Sequence, residues 1–201
     1  NKWHLESAKS GNHEEQYRLA KAYLDSEDYN QAFIWLLKSA KQNNAQAQSQ
    51  LGHLFTRGQG VPRDYDQAFI WYQQAMKNGN DEMAYILAGL YDQGLGIKKD
   101  YQKSHKFYQQ AKAQGNLDAY QDIARHYEKG QGVKKNLSKA YVFSIAAARK
   151  GHIDSQRKVA EMYEQGSGVK KSVKKAKYWL KKLAKRGDET AKRDLKRLQK
   201  R

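Results

Sequence analysis

Apolar residues along this chain return at a fixed step of 36. Leu51, Leu87, Ile123, Val159 and Leu195 form one series, Phe55, Tyr91, Tyr127 and Tyr163 a second, and Trp71, Phe107, Phe143 and Trp179 a third. Small residues keep the step at Ala68, Ser104, Ala140 and Ala176. Glycines keep it three times over: Gly58, Gly94, Gly130, Gly166; Gly60, Gly96, Gly132, Gly168; and Gly79, Gly115, Gly151, Gly187. A period of this length marks a repeat array. Between the glycines the spacing is helical. Met83, Leu87, Ala88 and Tyr91 fall at i, i+4, i+5 and i+8, a single apolar stripe, and Ala68, Trp71, Tyr72 and Ala75 draw another. Each unit is therefore predicted as two helices. Asn44, Asn80, Asn116, His152 and Asp188 stand at the N-cap of the first helix, and Asp28, Asp64, Asp100, Asn136 and Ser172 at that of the second. Gly58 and its counterparts supply the left-handed residue that ends a helix. One such hairpin cannot bury its own apolar face, so neighbouring units must stack.

The periodicity divides residues 1–201 into one repeat domain. Residues 1–11 end a preceding unit, 12–43 form a short unit, and 44–79, 80–115, 116–151 and 152–187 are full units. Residues 188–201 are expected to be a C-terminal capping helix. The short unit keeps a step of 32 from Tyr23 to Phe55, with Ser26–Glu27–Asp28 in place of Gly-x-Gly-Val. Trp3, Leu5 and Ala8 match Trp35, Leu37 and Ala40 at that same step, so the chain is expected to open inside a second helix. An Asn start suggests processing or trimming, with residues missing upstream.

Composition narrows the class. A single proline beside 15 glycines agrees with long regular elements and sharp stops, and 11% aromatic residues argue against disorder. With no cysteine there is no disulfide, thiol nucleophile or zinc–thiolate site. No apolar run approaches the roughly 18 residues that span a bilayer. The net charge of +17 is lopsided: residues 1–100 carry −1 and residues 101–201 carry +18.

The unit Ala47-x₃-Leu51-Gly52-x₂-Phe55-x₂-Gly58-x-Gly60-Val61, followed by Asp64-x₃-Ala68-x₂-Trp71-Tyr72, resembles the Sel-one-like repeat (SLR) family, relatives of tetratricopeptide repeats. The resemblance spans nearly the whole chain. It implies an all-α fold, a right-handed α-solenoid of stacked helix-turn-helix repeats, acting as a non-enzymatic protein–protein interaction scaffold or adaptor. It also implies a bacterial envelope setting, periplasmic or secreted after processing. Some family members neutralise secreted toxins, including phospholipase-type effectors, and that immunity role is one alternative. Others carry disulfides and bind cell-wall-type ligands; this chain lacks the cysteines. Read from the charge alone, nonspecific binding of a polyanion, membrane or nucleic acid, through the basic C-terminal half is a further alternative.

The remaining motifs are absorbed by the repeat. Gly58–Gln59–Gly60 follows a helix and recurs, unlike a dinucleotide loop. Ser172–Val173–Lys174–Lys175 has the form of a Ser-x-x-Lys nucleophile, but Ser172 stands in the cap slot of Asp64 and Asn136. Among His4, His13, His53, His105, His126 and His152 no pair has metal-ligand spacing. No catalytic residue, metal or cofactor is expected.

By analogy with tetratricopeptide arrays, the first helices line a concave surface that takes a partner protein or peptide. Tyr17, Lys21, His53, Arg57, Tyr85, Asp92, Gln121, Arg125, Glu128, Arg157, Glu161 and Glu164 are its expected binding residues. Asp92, Glu128 and Glu164, again 36 apart, are expected to form a carboxylate row attracting Lys- or Arg-bearing segments. Lys98, Lys99, Lys134, Lys135, Lys170 and Lys171 all follow Gly-x-Gly-(Val/Ile) and should align as a basic ridge drawn to anionic surfaces. Sequence-specific nucleic-acid binding is not expected, because the aromatics sit at repeat core positions rather than among the lysines. The protein is expected to be monomeric.

Overall fold

The computed structural model describes residues 2–199, with side chains from Glu6 onward. Among the described residues the chain forms twelve α-helices and no strand. They divide into two compact units that adjoin in sequence at Asp100 and Tyr101. The first holds α1 (Lys2–Lys9), α2 (His13–Asp25), α3 (Tyr29–Ala40), α4 (Ala45–Arg57), α5 (Tyr65–Lys77) and α6 (Met83–Gln93). The second holds α7 (Tyr101–Ala113), α8 (Leu117–Lys129), α9 (Leu137–Arg149), α10 (Ile153–Gln165), α11 (Val173–Lys185) and α12 (Glu189–Gln199). The side chains of Trp3 and Leu5, matched above to Trp35 and Leu37, lie outside the described residues, as do the last two residues of the expected final helix.

Local chemistry sets the helix ends. Asn44, Asn116 and Asp188 accept the third amide of their helices at 2.9 Å, and Asp28, Asp64, Asn136 and Ser172 do the same work for the second helices. His152 fills the cap slot with ring Nδ1, which accepts from the Ser155 amide at 3.2 Å. Asn80 is a correction. Helix α6 begins only at Met83, because the carbonyls of Asn80 and Asp81 take the Met83 and Ala84 amides in i→i+3 turns, and Glu82 makes no side-chain cap. Gly132, the second glycine of its turn, explains why that position cannot vary. Its φ is +69°, and a Cβ there would overlap the carbonyl of Tyr101, where α7 starts.

The repeat reappears as a ladder of edge-to-face rings, each joining a second helix to the following first helix. Phe33–Phe55 and Phe69–Tyr91 lie 5.9 and 5.4 Å apart in the first unit; His105–Tyr127 and Tyr141–Tyr163 lie 5.4 and 5.5 Å apart in the second. Such pairs contribute about 0.5–1.5 kcal/mol beyond the area they bury. Fully buried Ala68, Ala140 and Ala176 let helices approach closely. Ser104 occupies the same slot, and its buried Oγ has no hydrogen-bond partner. Buried glutamines stitch three of the first helices, α2, α4 and α10, to the helix before: Gln16, Gln48 and Gln156 donate to the carbonyls of Ala8, Ala40 and Ala148 at 3.0–3.1 Å.

Candidate functional site

The first helices present a polar face whose side chains are largely held by one another. In the first unit Tyr17, Tyr85 and Asp92 are half-buried, while Lys21 and Arg57 are exposed. Burial, with Glu14 nearby, raises the Tyr17 pKa above its ordinary value. His53 Nδ1 lies 2.8 Å from the Tyr72 hydroxyl, and the rings meet at 5.3 Å. Burial, reinforced by the Arg57 charge, lowers the His53 pKa. A neutral imidazole held against a buried tyrosine is a packing element with one polar edge.

In the second unit the ordering is closer. The Ser155 hydroxyl donates to Gln121 Oε1 at 2.9 Å, and His152 Nε2 reaches Asp118 at 2.8 Å. Arg125 is held by Asp122 at 2.9 Å and by Gln131 at 3.1 Å. Lys158 donates to Glu128 at 2.8 Å. Arg197 grips Glu164 with two bonds, at 2.5 and 2.9 Å, which raises the Arg197 pKa further. Arg157 bridges Asp154 and Asp188. The Asp188 pKa falls, first through the Ala191 amide it caps and then through Arg157. The expectation of an open carboxylate row is thereby corrected in this unit: Glu128 and Glu164 are each met by a base from the next first helix, 30 and 33 residues on. Position 158 is a lysine and position 197 an arginine, so the acids match by charge across the stack. Arg157, Glu161 and Glu164 share one shallow groove of about 380 Å³ with Asp194 and Arg197.

The ridge lysines Lys98, Lys99, Lys134, Lys135, Lys170 and Lys171 are all exposed. Lys134, Lys135 and Lys139 border a groove beside Tyr127, with the Lys139 ammonium 5.2 Å from the centre of that ring.

One cluster escapes sequence spacing. His105 on α7 and His126 on α8 are buried and stacked, with Nδ1 atoms 3.3 Å apart. Gln109 Nε2 lies 3.0 Å from His105 Nε2. An amide nitrogen only donates, so His105 Nε2 accepts and its Nδ1–H donates to His126. A second proton on His105 would meet the Gln109 N–H. Burial and the neighbouring His126 and Lys112 push the His105 pKa down to about 4. The signal lay in the repeat: His105 stands where Phe33, Phe69 and Tyr141 stand, and His126 where Leu54, Leu90 and Met162 stand. Among the described residues no group of three or more His, Cys, Asp or Glu is placed to hold a metal ion, and no helix is long and apolar enough to cross a membrane.

Stacked two-helix units with a polar first-helix face define a helical repeat protein. The chain belongs to the Sel1 repeat family, whose model matches residues 16–44, 45–80, 81–116, 117–152 and 153–188. Sel1 repeat proteins are generally non-catalytic scaffolds for protein interaction, and the fold here is the SLR α-solenoid. The chain is similar to c5321, a protective antigen of uropathogenic Escherichia coli with an SLR fold: 28% identity and a TM-score of 0.88 over 96% of this chain and 42% of that one. It thus spans about two fifths of that protein's crystallised length. A Sel1 repeat protein from Oxalobacter formigenes is 31% identical with a TM-score of 0.79, covering 92% of this chain and 75% of its own. A third, from Klebsiella pneumoniae, shares the fold at 23% identity and a TM-score of 0.55 over 98% of both chains. Comparison with curated proteins gives no match.

Proposed function

We propose that the protein is an adaptor that holds a partner protein or peptide on the polar faces of its first helices. The cross-repeat polar ladder of the second unit supports this: Gln121–Ser155, Asp118–His152, Glu128–Lys158 and Glu164–Arg197 fix side chains before any partner arrives. Side chains already ordered lose less rotamer freedom on association, which is where much binding energy is spent. Self-neutralised acids also shift selectivity from a basic partner towards one that matches an alternating pattern of charge. An envelope or secreted location goes with this reading, as does the description of c5321 as a protective antigen; fractionation of the native host against a periplasmic marker tests it.

The adaptor reading is tested with a photo-crosslinking residue placed at exposed Glu161 on a first helix, and separately at exposed Val142 on a second helix. Irradiation in the native host should give one dominant adduct from position 161 and little from 142. Adducts from position 142 alone would place the partner on the wrong helices and end this reading.

A further inference from the structure

Two buried glutamines of the stitch are completed by a second amide. Gln42 donates to Gln16 Oε1 at 2.8 Å, and Asn78 donates to Gln48 Oε1 at 2.9 Å. Gln156 repeats only half of the arrangement. It is 3% exposed and its Nε2 holds the Ala148 carbonyl at 3.0 Å, but its Oε1 is buried with no donor. The slot that should supply one, three steps of 36 beyond Asn78, holds Arg186. That guanidinium turns to the Gly151 carbonyl at 3.4 Å. A buried acceptor left without a partner is costly, and native structures contain few.

Gln156 lines an open groove of about 490 Å³ at the C-terminal ends of α9 and α11. The other polar side chains around it are Arg149, Lys150, Lys182, Lys185 and Arg186, and no acid lines it. All five stand in the last turn or at the C-cap of α9 or α11, where the helix dipole favours a base; the dipole does not require that both ends border one groove with no acid in it. We propose that this groove binds an acidic peptide segment, whose N–H donates to Gln156 Oε1 while its Asp and Glu carboxylates pair with the bases. The bases are spread over two helix ends instead of converging on one point, which suits several carboxylates along a chain. The occupant must also bring a donor, which a peptide backbone offers at every residue and a phosphate monoester dianion does not. The proposal goes beyond the adaptor reading, adding a contact at the ends of two second helices, and a synthetic peptide tests it without any captured partner.

The probe is a fluorescein-labelled Gly-Asp-Glu-Gly-Asp-Glu-Gly peptide, read by anisotropy in about 150 mM NaCl, where long-range attraction is screened. Arg186→Ala removes one rim charge and leaves the acceptor open; about threefold weaker binding is expected. Arg186→Asn removes the same charge but reinstates the Asn78–Gln48 pairing, filling the acceptor from within. It should bind about tenfold more weakly than Arg186→Ala, and melt at a higher temperature than either parent or alanine variant. The ridge control Lys134→Gln/Lys170→Gln/Lys171→Gln removes more charge and should stay within twofold of the parent. The proposal is overturned if the peptide does not bind, if the two Arg186 variants bind alike, or if the ridge control weakens binding as much as Arg186→Asn. Displacement by inorganic phosphate as effective as by unlabelled peptide overturns it too, in favour of a simple anion site.

Discussion

His105 shows how a single side chain makes the fold sensitive to pH. Its pKa of about 4 in the folded protein lies below the ordinary 6.5, so between these values the unfolded chain binds the extra proton. Its contribution is therefore whole above pH 6.5 and drains away as pH falls towards 4, an effect of the order of 2–3 kcal/mol. Melting followed by circular dichroism at pH 7.5, 6 and 5 should show a steeper fall for the parent than for His105→Gln; parallel curves would mean that the imidazole takes its proton without cost. Ser104, in the neighbouring alanine-sized slot, makes the opposite case. Ser104→Ala deletes a buried hydroxyl that has no partner and should stabilise by about 1 kcal/mol, seen as a higher melting temperature. Gly132→Ala carries two penalties at once, a positive φ and a collision with the Tyr101 carbonyl, and a loss of at least about 2 kcal/mol is expected in urea titration.

At the scale of helices, much was legible because the information is local. A cap needs one residue and the amide three positions on, so Asn44, Asn116, Asp64 and Ser172 could be assigned from spacing alone. Asn80 failed because its own backbone carbonyl, in an i→i+3 turn, took the Met83 amide that its side chain was meant to take. Contacts between helices were legible only where the repeat names both partners. The ring ladder belongs to that class: Phe69 and Tyr91 could have been paired from their recurrence. Lys158 to Glu128 and Arg197 to Glu164 could not, since the adjacent repeats carry acids at those positions (Asp122 and Asp194 about Lys158, Glu161 before Arg197) and a long side chain chooses among several acids within reach. These exposed pairs contribute little each, about 0.2–1 kcal/mol, so they order the surface more than they hold it. Helix α12 adheres through Ala191 and Leu198, which join the cluster of Trp179, Leu180 and Leu183. Leu198 is fully buried there, and Leu198→Ala should cost about 2–4 kcal/mol in chemical denaturation. A near-neutral result would show that α12 is held by its charges.

Across the whole molecule the charge is carried by one half of the sequence, −1 in residues 1–100 against +18 in residues 101–201. Two salt effects then oppose each other. Screening weakens the exposed ion pairs, each small, and relieves the mutual repulsion of a large surplus of lysine and arginine. The surplus is the larger quantity, so the melting temperature should rise between about 20 and 300 mM NaCl. A fall over that range would mean that the ion-pair ladder outweighs the surplus.

The contact of Gly132 with Tyr101 has a counterpart in that of Gly168 with Leu137, and both span 31 positions. Remove residues 117–152 and join Asn116 to Ile153, and Gly168 arrives where Gly132 stood, against Tyr101. Asn116 then caps α10 in place of His152. The caps and glycine contacts at the new junction all have counterparts in a neighbouring repeat, while the pairs that depend on His126, Gln121 and Glu128 are lost. Remove one residue fewer, and the surviving residue pushes each later ring and glycine out of step with the helix it should meet. The length of this protein is therefore quantised: it tolerates gain or loss in whole copies far better than in single residues. A gene encoding it can shorten or lengthen by recombination between its own repeats and still specify a folded product.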